Sequence, residues 1–142
     1  MQNNKNADAY FSVSHILNNA DRGFFVVTAP PRMQRTVVER YENKKTAVYD
    51  YAAASQPFSY PALNAWAEEN KDEDVFFILN MQIAFMGESG GFDEAHMLSF
   101  NMARDVLAKK RKIWIFCMTA EAYKHLAAYA DLPAVFVVVE RG

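Results

Sequence analysis

The stretch "DVFFILNMQ", residues 74–82, decides how the rest of the chain is read. Apolar residues run without a break from Val75 to Leu79, and all but the last are β-branched or aromatic. A strand with one wet face would alternate, so an unbroken run predicts a strand covered on both faces. Working outward, similar runs recur as "GFFVVTA" (23–29), "KIWIFCMT" (112–119) and "PAVFVVVE" (133–140). A fifth, "KTAVYDYA" (45–52), is less apolar and is expected at a sheet edge.

The segments between these runs carry helical period. In "PPRMQRTVVERYENK" (30–44), Met33, Val37, Val38 and Tyr41 share one helix face, and Pro31 suits a first turn. "SYPALNAWAEENKD" (59–72) offers Ser59 as an N-cap with Pro61 just inside. Helices are also expected within 93–112 and 120–132, and an extra one within residues 1–21. Strands alternating with helices predict a three-layer, doubly wound α/β domain with a five-stranded, mainly parallel sheet over residues 22–142. The first, third and fourth strands are expected at its centre. The chain closes just after its last strand, one helix short of the usual pattern, so it is expected to be part of a longer protein.

Composition narrows the function classes. The 142 residues suit one domain, with 51% hydrophobic and 23% charged side chains. A net charge of -2 provides no basic stripe for phosphates, which argues against nucleic-acid binding. The one basic cluster, Lys109 to Lys112, is expected at a helix end, where cations complement the dipole. No apolar run approaches the roughly 20 residues a membrane helix needs. The single cysteine, Cys117, sits in an apolar run and fits a reducing cytoplasm. A Cys117/His125 nucleophile pair is disfavoured, because burial suppresses thiolate formation.

"FDEAH" (92–96) carries the four letters of a helicase family, but its context is wrong. The acids of that motif emerge from an apolar strand, whereas here a Gly/Ser loop precedes them. Leu98, Met102 and Val106 then repeat every fourth residue, as a helix does. Asp93 is therefore expected as an N-cap, Glu94 as a first-turn acid and His96 as an exposed side chain. The position that would hold magnesium is Asn80, a poor ligand beside aspartate. After the first strand, "TAPPRMQRT" has no glycine and no Lys-Ser/Thr pair, and its two prolines lack the N–H groups a phosphate cradle uses. The expected catalytic and metal-ligand sets are both empty. No histidine has metal-ligand spacing.

The order of elements then resembles a known group. "RGFFVVTAPPRMQRTVVERY", "DVFFILNMQ" and "LSFNMARDVLAKKRKIWIFCMTAEAYKHLAAYADLPAVF", with its FN-x-x-R-D-x-L helix, are similar to the degenerate P-loop-like N-terminal domain of prokaryotic multidomain proteins related to the STAND NTPases. Those proteins often continue into tetratricopeptide-type repeats. The resemblance covers about residues 22–139 and implies the strand order 5-1-4-3-2 without Walker motifs. It also implies a non-catalytic interaction or regulatory role with a protein partner or adjacent domain. Thr119 would match the polar sensor at the end of the fourth strand. The alternative is a nucleotide binder with weak or no hydrolysis, taking ATP or GTP on Thr28, Arg32, Arg35, Asn80 and Thr119 at the carboxyl ends of the strands. Apolar surface for a partner is expected at Tyr10, Phe11 and Ile16, or in the loop carrying Phe85, Met86 and Phe92.

Overall fold

The computed structural model describes Val13, Leu17 and residues 22–41, 45–54, 56–128 and 137–139. Strands β1 (Gly23–Thr28), β2 (Thr46–Asp50), β3 (Val75–Leu79) and β4 (Ile113–Met118) pair in parallel in the order β2-β3-β4-β1. The expected sheet of five strands is corrected: these four form its body. Of the run 133–140, only Val137–Val139 (β5) is described as paired, against Val26–Thr28 at the outer edge of β1. An apolar run predicts burial from its composition, whereas ladder pairing depends on neighbours distant in the chain.

Helices α1 (Pro31–Tyr41), α2 (Tyr51–Ala54), α3 (Tyr60–Glu69), α4 (Met81–Ala84), α5 (Glu94–Ala108) and α6 (Ala120–Ala127) connect the strands. The side chains of β3 and β4 alternate between two cores, as the two-residue strand period requires. Phe76, Ile78, Trp114, Phe116 and Met118 pack with Leu63 of α3, Met97, Phe100 and Leu107 of α5, and Leu126 of α6. Val75, Phe77, Leu79, Ile115 and Cys117 face the other way, against Val37 and Val38 of α1 and against Val13. This is the doubly wound, three-layer arrangement. Each fully buried Phe or Ile contributes about 1.5–3 kcal/mol, so the two cores dominate stability. The aromatic residues form a core and not a stacking platform: Phe76 meets Trp114 edge-on at 4.9 Å, and Phe100 meets Phe116 at 5.0 Å.

Local chemistry sets the helix ends. Pro31 opens α1. Ser59 caps α3 by accepting the Ala62 N–H at 3.3 Å, and Asp93 caps α5 by accepting the Ala95 N–H at 2.8 Å. The DEAH string is thus a helix start. The short helices α2 and α4 carry no sequence signal beyond the strands they follow. The basic cluster sits just past α5, with Lys109 as its C-cap. Lys110 pairs with Glu68, and Lys112 Nζ donates to the carbonyls of Lys71 and Glu73 at 2.6 Å each, tying the end of α3 to this turn. Tyr10, Phe11 and Ile16 lie outside the described residues.

Candidate functional site

Open α/β sheets bind ligands at the carboxyl ends of their strands. Here Thr28 ends β1, Asp50 ends β2, and Asn80 and Thr119 follow β3 and β4 directly. The residue that organises this edge is Gln34, on the second turn of α1. It shares a face with Val37, Val38 and Tyr41 and is fully buried. Its Nε2 donates to the Ala29 carbonyl at 3.0 Å and to Gln82 Oε1 at 3.3 Å. Its Oε1 accepts the Asn80 N–H at 2.7 Å. One amide side chain therefore braces the end of β1 to the end of β3.

The network continues through side chains. Asn80 takes a left-handed conformation, with φ 60° and ψ 43°, which Asn tolerates better than most residues. Its Oδ1 accepts from Gln82 Nε2 at 2.8 Å, and its Nδ2 donates to Asp50 Oδ1 at 2.8 Å. Asp50 also accepts from the Ala52 N–H at 2.9 Å and from Arg35 Nη2 at 2.8 Å. Burial by itself would raise the Asp50 pKa. The bonds from Asn80, Ala52 and Arg35 together outweigh it and hold the carboxyl below its ordinary value.

The five residues expected to receive a nucleotide thus separate. Arg35 and Asn80 come together, but through Asp50, and both are already bonded. Thr28 is buried at the end of β1. Arg32 is exposed on the first turn of α1 and stands outside the network. Thr119 caps α6 by accepting the Ala122 N–H at 3.2 Å. Gln34 and Asp50 were absent from that set. A polar residue on an apolar helix face, and an acid ending a strand, were the signals for them.

The cradle position fails on donor supply. The Ala29 N–H is bonded to the Met118 carbonyl, Pro30 and Pro31 have none, and the N–H groups of Met33 and Gln34 both reach the Pro30 carbonyl. At most one N–H, that of Arg32, remains in a turn where a phosphate needs several. Beside the loop 86–92 lies a cleft of about 810 Å³, lined by Ile83, Met86, Glu88, Phe92, Asp93, Glu94 and His96 among others. Its carboxylates and its lack of Lys or Arg suit a phosphate poorly. Among the described residues, no three His, Cys, Asp or Glu side chains are grouped to hold a metal ion.

Other expectations are settled by position. Cys117 faces the α1 side of the sheet, whereas α6, which carries His125, packs on the opposite face. The two cannot form a nucleophile and base, and burial pushes the Cys117 thiol up to about 12. His125 is exposed, with its ring 4.9 Å from Phe92. His96 is half-buried and not exposed as expected; its Nδ1 is buried without a hydrogen-bond partner. Phe85 is core, while Met86 is 39% exposed. No helix among the described residues is long and apolar enough to cross a membrane.

No protein-family model matches the sequence, and no curated protein does. Among solved structures, the chain is similar to domain III of the replication initiation protein DnaA from Thermotoga maritima, at 12% identity and a TM-score of 0.50. The match covers 94% of this chain and 62% of that one, so this chain spans less than two thirds of the length of its structural neighbour. At that identity the likeness speaks to fold alone: the chain has a doubly wound, P-loop-NTPase-like α/β fold.

Proposed function

We propose that this chain is a non-catalytic interaction or regulatory module on a P-loop-NTPase-like scaffold, serving a STAND-related prokaryotic signalling or defence protein. The observation that carries this reading is the closed edge of the sheet. Gln34, Arg35, Asp50, Asn80 and Gln82 bond one another where an NTPase would hold phosphates and magnesium. A ligand entering there would have to break bonds worth about 0.5–1.5 kcal/mol each, and more where Asp50 is involved. The proline pair at the cradle supports the same reading. Function then rests on surfaces offered to a protein partner or an adjacent domain.

The test is thermal unfolding with magnesium and ATP, ADP, GTP or GDP at millimolar concentration. A ligand specific for the folded state would add about 2.7 kcal/mol at a hundredfold excess over its dissociation constant. The expected result is an unchanged midpoint. A raised midpoint that Arg32→Ala abolishes would replace this reading with a nucleotide site.

A further inference from the structure

Among the described residues, the exposed large hydrophobic side chains are Met86 and three on α5. Leu98 is 39% exposed, Met102 78% and Val106 42%. They repeat every fourth residue, so they form one ridge along the outer surface of α5. Beside it, α3 and α5 enclose a groove of about 440 Å³ that includes Tyr60, Pro61, Ser99, Met102 and Val106. A folded chain gains nothing by wetting such a ridge, and a contiguous apolar patch marks a contact surface.

The charges at the two ends of α5 identify the occupant. Glu94 stands eight residues before Met102, and Lys109 stands seven after it. At 1.5 Å per residue, these charges lie about 12 and about 10.5 Å from Met102 along the axis. Both are exposed. The face is therefore apolar at Leu98, Met102 and Val106, with Glu94 beyond one end and Lys109 beyond the other at nearly equal arms, and with the exposed Asp105 between Met102 and Lys109. A second α5 laid antiparallel across it, with the two-fold axis near Met102, sets each Glu94 against the other copy's Lys109. A parallel pairing would set like charges together.

We propose that the chain forms a two-fold symmetric homodimer through antiparallel α5 helices, centred on Met102 and closed at both ends by Glu94–Lys109 pairs. Such an interface is self-complementary, as a closed dimer requires. The flexible thioether of Met102, which the groove beside it can receive, suits a residue that must pack against its own copy. This inference is independent of whether the strand edge takes a nucleotide. Sedimentation reads one and ligand-dependent unfolding reads the other.

The experiment is sedimentation equilibrium of the chain over a range of concentrations. The expected mass rises from 16.2 kDa toward twice that value. Met102→Asp, which buries a charge at the axis, is expected to weaken association roughly a hundredfold. Glu94→Lys and Lys109→Glu each create two like-charge contacts and are expected to weaken it about tenfold, while the double exchange restores it. Restoration separates pairing from any effect on helix stability, because the double variant carries both changes in helix charge. Met102→Cys is expected to oxidise to a cross-linked dimer, since Cys117 is buried. A monomer at every concentration overturns the proposal. So does a dimer indifferent to Met102→Asp, or a double exchange no stronger than the single variants.

Discussion

The carboxyl edge of the sheet and the outer surface of α5 invert each other. The edge gathers polar groups where the fold usually holds a ligand, and those groups satisfy one another. The α5 surface is a helix exterior, where polar residues are the norm, and among the described residues it exposes a ridge of Leu98, Met102 and Val106. Polar residues at the customary place are weaker evidence of a site when their bonds are already made. Unmet demand is the better guide, and on the outer surface of α5 it is apolar.

The sharpest way to break this contrast is to open the edge. Gln34→Ala removes the side chain that joins the Ala29 carbonyl to the Asn80 N–H and leaves both groups near a dry core. At about 1–3 kcal/mol for each unsatisfied group, the expected loss is about 3 kcal/mol by urea unfolding. A loss below about 0.5 kcal/mol would mean that water replaces Gln34 freely and that the edge is open after all.

Asn80→Asp comes next. It places a carboxylate where an amide now donates to Asp50 at 2.8 Å. The two like charges should cost about 2 kcal/mol at neutral pH, and less once one of them is protonated. An unchanged stability at pH 7 would show that the Asp50 bond does not hold the edge together.

The pH dependence of the parent chain sharpens the same point. Folding lowers the Asp50 pKa below its ordinary 3.8, so between the two values the unfolded chain binds more protons than the folded one. Asp50 therefore adds stability above the ordinary value, and this is lost as pH falls through the folded value. Asp50→Asn is expected to flatten that part of the acid-unfolding curve. Equal slopes for the two proteins would remove Asp50 from the account.

The smallest expected effect lies on the other region. Met102→Ser, measured where the chain is monomeric, should change stability by no more than about 0.5 kcal/mol, because no packing is lost. A large loss there would mean that Met102 already supports the fold, and the contrast between the two regions would collapse.

Much of this was legible in residue order. The runs at Val75–Leu79 and Ile113–Met118 are buried on both faces because nothing in them is polar enough to meet water. Ser59, Asp93 and Pro31 announced their helix starts, since capping depends on residues only a few positions apart. The proline pair removes two of the donors that a phosphate cradle would use. The half-burial of His96 was not legible, because it depends on neighbours distant in the chain.

By itself, then, the sequence determined the layers, the helix starts and the absence of a Walker-type loop, all properties of local composition and period. Only the tertiary structure decided that the strand edge is closed. Gln34 and Asn80 meet across 46 residues, and Asn80 and Asp50 across 30. A hydrogen bond needs its partners within a few tenths of an ångström of a fixed distance. That precision comes from packing β1, β2 and β3 side by side, which helical and strand periodicity do not specify.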